Sequence, residues 1–145
     1  PMWVYLDTCS FNRPFDDQSQ LRVRLEAEAK LRIQEEIRAG EIDLAWSYIL
    51  EYENDKNPYP ERKSRISAWR AYARLEVQES AELLANASSL NKEGLPKIDS
   101  LHVACAIIAE CDYFITTDDR VLKCKARVAA INIADPILFI KERGL

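Results

Sequence analysis

Carboxylate side chains follow short apolar runs in this sequence. Asp7 comes directly after the first run, residues 3–6, and Asp118 and Asp119 come soon after another, residues 113–116. Taken singly, such an acid often opens a turn or caps the next helix. A cluster of carboxylates has different chemistry, because it binds a divalent cation far better than one carboxylate does. Hard oxygen ligands favour Mg²⁺ or Mn²⁺ over zinc.

Two further acids lie on segments with a helical pattern. Glu53 is on the helix predicted after the second strand, and Asp99 is in the first turn of a strongly apolar helix predicted over residues 98–110. In open parallel sheets, ligands bind beyond the carboxyl ends of the strands, where the strand order reverses. We therefore expect the acids after the strands and the two helix acids to meet at one edge. Like charges raise one another's pKa, so such a cluster needs a cation to stay ionised.

Short apolar segments alternate with helical segments along the chain. We predict strands over residues 3–6, 42–46, 113–116 and 130–133. We predict helices over residues 17–39, 48–53, 60–75, 79–90, 98–110 and 136–144. This alternation is typical of a parallel sheet that helices cover on both faces. The predicted fold class is α/β, as an α/β/α sandwich with a mostly parallel central sheet.

Residue types at the predicted helix ends support these boundaries. Asp17 and Gln20 have the spacing of a capping box, and Gly40 follows the first helix as a C-cap. Ser47 is placed to cap the second helix through its hydroxyl. Pro58 then ends that helix, because proline lacks a backbone donor and restricts the residue before it.

Length and composition indicate one globular domain over residues 1–145. A chain of 145 residues, 48% of them hydrophobic, is long enough for one core and short for two. No apolar run reaches the roughly 18 to 20 residues of a membrane span, and the N-terminus lacks the pattern of a secretory signal. We therefore expect a cytoplasmic protein without a membrane partner.

The charge balance excludes binding of nucleic acid by overall electrostatic attraction. The formal net charge is -4, so any polyanionic substrate must be held by local cations. The candidates for such contacts are Arg13, Lys56, Arg62 and Lys63. Helix surfaces routinely carry such residues, so a solvated helix face is the alternative interpretation.

The cysteine and histidine content argues against other metal chemistry. The four cysteines form no CxxC pair and there is one histidine, so a zinc site or a disulfide framework is not expected. That histidine, His102, is three residues after Asp99 and so shares its helix face. We expect it to be a hydrogen-bonded structural residue rather than a ligand.

Four segments resemble, in order and in approximate separation, the acidic motifs of PIN-domain nucleases. They are VYLDTCSF, LEYEND, KIDSLHVACA and YFITTDD. The resemblance runs over nearly the whole chain and is closest to small single-domain VapC-type toxins of toxin-antitoxin pairs. It implies a PIN-like fold and a metal-dependent ribonuclease that hydrolyses phosphodiester bonds, with DNA not excluded as substrate. It also implies a small antitoxin protein as partner and a homodimer formed through the helix predicted over residues 17–39.

The resemblance also implies roles for individual residues. The catalytic acids are Asp7, Glu53, Asp99 and Asp118. Of these, Asp7, Asp99 and Asp118 are the implied ligands of Mg²⁺ or Mn²⁺, and Glu53 ligates or orients the water. The supporting residues are Thr8, Ser10, Thr117 and Asp119. Glu51 remains an alternative to Glu53, although the two point about 200° apart on a helix.

Two other functions remain open. A phosphohydrolase of the haloacid-dehalogenase type would use Asp7 as a nucleophile, but it usually has a second aspartate where this chain has Cys9. A PIN-like module that binds RNA or protein without cutting would be indicated by loss of the acids, and all four are present.

Overall fold

A single parallel sheet forms the centre of the molecule in the computed structural model, which describes residues 1–145. Its strands are β1 (Met2–Leu6), β2 (Ile42–Ser47), β3 (Ala73–Val77), β4 (Tyr113–Ile115) and β5 (Asn132–Ala134). They lie in the order β3-β2-β1-β4-β5, and every neighbouring pair is parallel. The chain therefore leaves β1 on one side for β2 and later returns on the other side for β4.

Eight α-helices flank the sheet. They are α1 (Thr8–Asn12), α2 (Leu21–Arg38), α3 (Tyr48–Asp55), α4 (Pro60–Ala68), α5 (Ala81–Lys92), α6 (Lys97–Ile108), α7 (Asp119–Leu122) and α8 (Pro136–Arg143). Short 3₁₀ segments follow α1, α4 and α7. No helix combines the length and the low charge that a membrane span requires.

The central strand is buried on both faces. Val4, Tyr5 and Leu6 are consecutive residues of β1 that point to alternate faces, and all three are fully buried. Tyr5 stacks on Phe114 of β4 with ring centroids 5.5 Å apart. Helices must therefore cover both faces of the sheet, which confirms the predicted α/β sandwich with a parallel centre.

The edge strand β3 is the main correction to the predicted elements. The sequence pattern predicts helix as far as residue 75, whereas α4 ends at Ala68 and β3 pairs with β2 in parallel. The segment is rich in alanine, arginine, leucine and glutamate, which favour helix as isolated residues. Pairing with β2 overrides that propensity, because strand preference depends on the sheet context more than on the isolated residues.

The segment between β1 and α2 also differs from the prediction. The capping box is wrong: the side chain of Asp17 accepts from the backbone N–H of Ser19 (3.0 Å), and the N-cap residue Gln20 makes no side-chain cap. The helix α2 therefore begins at Leu21. The sequence pattern also missed the short helix α1, which starts at once after β1. The remaining elements shift by a few residues; β5, for example, starts at 132 rather than 130.

Candidate functional site

A cleft of about 360 Å³ lies at the carboxyl end of β1 and brings the four predicted acids together. The carboxylates that line it are Asp7, Asp16, Glu53, Asp99 and Asp118. β1 is the strand at which the strand order reverses, because its two neighbours β2 and β4 follow it in opposite directions. The parallel topology thus gathers carboxylates that are up to 111 positions apart in the chain.

Asp7 is held at the base of the cleft by short hydrogen bonds. It is the N-cap of α1, and its Oδ1 accepts from the backbone N–H of Thr8 (2.8 Å). Its Oδ2 accepts from the hydroxyl of Thr116, also at 2.8 Å. Only 3% of Asp7 is exposed. A buried carboxylate with these donors keeps a fixed orientation toward the cleft.

Glu53 is fixed by two donors at the opposite wall. Ser47 caps the start of α3 by accepting from the N–H of Leu50 (3.2 Å), and this helix carries Glu53 to the cleft. Thr8 Oγ1 donates to Glu53 Oε1 at 2.8 Å, and His102 Nε2 makes a short hydrogen bond to the same oxygen. Burial raises the pKa of Glu53, but the bonds from His102 and Thr8 outweigh it and lower the pKa below its ordinary value.

His102 is completely buried behind these acids and links them to the core. Its Nδ1 lies 2.6 Å from Tyr5 Oη, which in turn is 2.6 Å from Ser47 Oγ. Burial lowers the pKa of His102, yet the negative charges of Asp7 and Glu53 raise it above its ordinary value. The imidazole therefore bridges Glu53 of the cleft and Tyr5 of the core. His102 is hydrogen-bonded, as expected from the sequence, but the sequence did not indicate Glu53 as its partner.

Glu51 lies away from the cleft. Its Oε1 accepts from the indole N–H of Trp46 at 2.8 Å, and Arg70 is 3.9 Å from the same oxygen. Of the two candidate glutamates on α3, Glu53 is therefore the one whose carboxylate lines the cleft.

Asp99 and Asp118 face each other across a single cation, Arg120. Arg120 Nη2 lies 2.9 Å from Asp118 Oδ2 and 3.9 Å from Asp99 Oδ2. The hydrogen bond from Arg120 lowers the pKa of Asp118. Burial and the charges of Asp7 and Asp118 instead raise the pKa of Asp99 to about 6. The site thus holds one carboxylate that is reluctant to ionise without a further cation.

The raised pKa of Asp99 predicts that a divalent cation stabilises the fold more at pH 7.5 than at pH 5. The folded protein keeps the Asp99 proton between the ordinary pKa of 3.8 and about 6, so the free energy of unfolding falls as pH rises through that range. A cation that binds ionised Asp99 reverses this loss. We expect Mn²⁺ to raise the unfolding midpoint by about 3 to 6 °C at pH 7.5 and by less than about 1 °C at pH 5.

Differential scanning fluorimetry with Mn²⁺ or EDTA measures this shift. The Asp99→Asn variant is the control, because it has no proton to lose and should show a small shift at both pH values. Equal shifts in the wild type at pH 5 and pH 7.5 would contradict the assignment.

Three of the predicted supporting residues lie outside the cleft. Asp119 forms a two-point ion pair with Arg22 (2.8 and 3.0 Å) at the surface. Ser10 Oγ donates to the carbonyl of Ile115 and so ties α1 to β4. Thr117 Oγ1 is buried without a hydrogen-bond partner. Thr8 alone of the four lines the cleft.

Thr116, the residue before the predicted supporting residue Thr117, makes the hydroxyl contacts to the acids of the cleft. It donates to Asp7 Oδ2 and accepts from the backbone N–H of Asp118 at 3.1 Å, so it connects two acids of the cleft. Side chains alternate in direction along an extended segment, which groups Thr116 with Asp118 and separates both from Thr117. That alternation is the sequence signal that could have identified Thr116.

Thr116→Val is therefore expected to weaken both the site and the fold. The loss of the hydroxyl leaves Asp7 Oδ2 and the N–H of Asp118 without this partner, which costs about 1 to 3 kcal/mol of stability. We expect a fall of about 10- to 30-fold in the rate of the proposed cleavage reaction. Thr116→Ser should restore most of the rate, and Thr117→Val should have the smaller effect. A rate loss confined to Thr117→Val would contradict the hydrogen-bonding scheme.

The predicted basic residues divide into two pairs. Lys56 and Arg62 line a recess that adjoins the acidic cleft and shares Glu53 with it. Arg13 instead lies against buried Glu26 (3.3 Å), and Lys63 lies near Asp55 (3.9 Å) on the surface. Arg13 and Arg62 each also lie 3.3 Å from Asp16, the acid at the rim of the cleft. Lys56 and Arg62 are thus the cations of the predicted set that line the recess beside the acids.

The fold is similar to that of a chain in a solved protein–DNA structure. No protein-family model and no curated protein matches the sequence. The crystal structure of VapBC2 from Rickettsia felis bound to a DNA fragment from their promoter contains a chain that superposes with a TM-score of 0.58. The match covers 92% of this chain and 98% of that chain at 14% sequence identity. The likeness is one of fold, and it agrees with the parallel α/β sandwich described above.

Proposed function

We propose that this protein is a divalent-metal-dependent nuclease that hydrolyses phosphodiester bonds, chiefly those of RNA. The observation that carries the proposal is the convergence of Asp7, Glu53, Asp99 and Asp118 in one cleft. The fold likeness to a chain of the VapBC2 complex supports the same class of protein. The acids arise from four separate segments, so chance clustering of neighbouring residues does not account for the arrangement.

The donor set fits a hard divalent cation. Asp7, Asp99 and Asp118 would hold Mg²⁺ or Mn²⁺ through carboxylate oxygens. When bound, the cation supplies Lewis-acid stabilisation of charge on the phosphate. The raised pKa of Asp99 agrees with this assignment, because burial and the nearby charges of Asp7 and Asp118 outweigh the compensation that Arg120 supplies.

A histidine-containing set is the competing metal arrangement. Ligand atoms of Asp7, Glu53 and His102 lie within 4.8 Å of one another, and an imidazole ligand would favour metals such as zinc or iron. However, His102 is completely buried and its Nε2 is bonded to Glu53. We therefore assign His102 as the positioning residue for Glu53 and assign the oxygen donors to the cation.

The protein's own residues account for the remaining requirements of hydrolysis. Glu53, kept ionised by its two donors, orients the attacking water and accepts its proton. Arg120 is largely exposed at the cleft and contacts a phosphate oxygen of the substrate. Lys56 and Arg62 in the adjoining recess hold the neighbouring backbone phosphates. These local cations compensate for the net negative charge of the chain.

A small antitoxin protein and a second copy of the chain are the proposed protein partners. The printed name of the solved neighbour is VapBC2, and the sequence motifs resemble those of VapC-type toxins of toxin-antitoxin pairs. Two exposed leucines on α2, Leu21 and Leu25, offer an apolar surface for a homodimer. Sedimentation of the purified protein, alone and co-expressed with a small protein encoded beside it, tests both. A stable active monomer with no affinity for that protein would contradict this part of the proposal.

The cleft gives less support to the two alternatives. A phosphohydrolase with Asp7 as nucleophile would need a lysine near the transferred phosphate, and no lysine lines the acidic cleft. A binding module that does not cut has no need of four converging acids. Trapping of a fluoroaluminate analogue on Asp7 would favour the phosphohydrolase.

Cleavage assays on labelled oligonucleotides test the proposal. Single-stranded RNA, structured RNA and single-stranded DNA are each incubated with purified protein in Mg²⁺, Mn²⁺ or EDTA. We expect cleavage of RNA with either cation and none in EDTA. Cleavage that persists in EDTA, or binding of RNA without any cleavage, would contradict the nuclease assignment.

A further inference from the structure

A second cavity, of about 370 Å³, lies between α2, α4 and the residues that follow α1. Its walls combine aromatic rings with cationic and amide side chains, and none of its lining residues is acidic. This contrasts with the acidic cleft and with the net charge of the chain, which is -4. The segment 11–16 separates the two sites: Phe11 and Phe15 line the cavity, whereas Asn12 and Asp16 line the acidic cleft.

Lys30 is a buried cation without an anionic partner in this cavity. Only 2% of the residue is exposed, and no carboxylate lies within ion-pair distance of its ammonium group. Its Nζ lies instead 5.0 Å from the ring centre of Phe11 and 5.8 Å from that of Trp69. Cation-π contacts of this kind compensate only part of the cost of removing a charge from water. Burial and, secondarily, Arg38 lower the pKa of Lys30 to about 7.

Two more donors follow Lys30 along the same face of α2. Gln34, one helical turn later, is 3% exposed, and its amide Nε2 has no hydrogen-bond acceptor. Arg38 comes one turn further, and its guanidinium carbon lies 4.7 Å from the ring centre of Trp69. Residues four apart lie above one another on a helix, so these side chains form a row of donors. An unsatisfied buried amide and an unpaired buried ammonium in one cavity indicate an absent acceptor.

Aromatic surface adjoins this row. Trp69 and Tyr72 lie side by side with ring centroids 4.9 Å apart, and Tyr72 is 46% exposed. Trp69 itself is only 8% exposed, so Tyr72 is the ring of this pair that can accept a planar group by stacking. The cavity therefore offers donors for an anionic group next to a surface for an aromatic group.

We propose that this cavity binds a nucleoside monophosphate, with the phosphate on Lys30, Gln34 and Arg38 and the base against Tyr72. A phosphate monoester fits the site because it carries up to two negative charges and three acceptor oxygens. The cavity volume is in the range of small-ligand sites. The cavity lies apart from the acidic cleft, so the proposed nucleotide binding does not depend on nuclease activity.

Isothermal titration calorimetry of the full chain with adenosine 5′-monophosphate in EDTA tests the proposal. We expect one site per chain with a dissociation constant of about 10 to 100 μM. Adenosine and inorganic phosphate should each bind at least about 10-fold more weakly, because each supplies one half of the interaction. No heat with the folded wild type at millimolar nucleotide, or equal binding of adenosine, would overturn the proposal. So would tighter binding of benzoate, an aromatic carboxylate.

Variants locate the site. Lys30→Met should weaken binding at least about 10-fold, and the exposed Arg38→Gln, which leaves the core intact, about 3- to 10-fold. Arg24→Met removes a charge from the exposed face of α2 and should bind like the wild type. Asp7→Asn should also retain nucleotide binding.

Unchanged binding by both Lys30→Met and Arg38→Gln, or loss of binding in Asp7→Asn, would overturn the assignment. Nucleotide binding by a chain that proves inactive on RNA would refute only the nuclease proposal.

Discussion

Replacement of Asp7 by asparagine is expected to lower the rate of RNA cleavage by at least about 10³-fold with the fold preserved. Asp7 is the most buried of the four acids, and it lies at the base of the cleft. Its carboxylate accepts from the backbone of α1 and from Thr116 near β4. The amide has the same shape but lacks the charge that a divalent cation requires. Because the substitution also removes a buried negative charge, we expect the free energy of unfolding to change by no more than about 1 kcal/mol.

The measurement is the single-turnover rate on the best RNA substrate in Mn²⁺, with circular dichroism to verify the fold. Asp55→Asn is a matched control, since Asp55 is an exposed aspartate at the end of α3, the helix that carries Glu53. It should cleave within about 2-fold of the wild type. A folded Asp7→Asn protein that retains the wild-type rate would remove Asp7 from the mechanism.

Lys30→Met is expected to stabilise the protein by about 2 to 4 kcal/mol at pH 7 and below. Lys30 has an ordinary pKa of about 10.5 in the unfolded chain and a pKa of about 7 in the folded protein, because burial disfavours its charged form. The unfolded chain therefore binds more protons between pH 7 and pH 10.5, and wild-type stability rises with pH across this window. Below pH 7 both states are charged, and the full cost of burial is present. Methionine has a similar shape and carries no charge.

Urea denaturation at pH 6, 8 and 10 measures this difference. The gain from Lys30→Met should be largest at pH 6 and should decrease steadily toward pH 10. The exposed Arg24→Met gives the baseline for loss of a positive charge on α2. A destabilised Lys30→Met protein at pH 6 would show that the buried ammonium has a favourable partner and would contradict the description of an unpaired cation.

The gathering of the acids could be predicted from sequence because it follows from topology. Residues that end parallel strands meet at the same edge of the sheet, so Asp7 and Asp118 could be paired without coordinates. The positions of Glu53 and Asp99 could be predicted on one further assumption, which is that the helices carrying them begin at or pass beside that edge of the sheet. The choice between Glu51 and Glu53 could not be made, because it depends on the rotation of α3 about its axis.

Other features depend on packing that no local pattern encodes. The strand β3 has the composition of a helix and is extended only because β2 offers it backbone partners. The link between His102 and Glu53 joins residues 49 positions apart on two helices whose packing the sequence did not indicate. Lys30 belongs to α2, whose many charged residues indicate a solvated surface. Its side chain is nevertheless buried, because the rings of Phe11 and Trp69 lie against it. Long-range contacts of this kind become visible only in the folded chain.

Titration of Mn²⁺ into the metal-free protein, followed by calorimetry at pH 7.5, most directly tests whether the acidic cleft is a cation site. The wild type should bind one or two ions saturably, and Asp7→Asn and Asp99→Asn should each weaken that binding at least about 10-fold. Asp55→Asn should bind like the wild type. Absence of saturable binding, or equal binding by the wild type and Asp7→Asn, would contradict the metal-dependent nuclease described here.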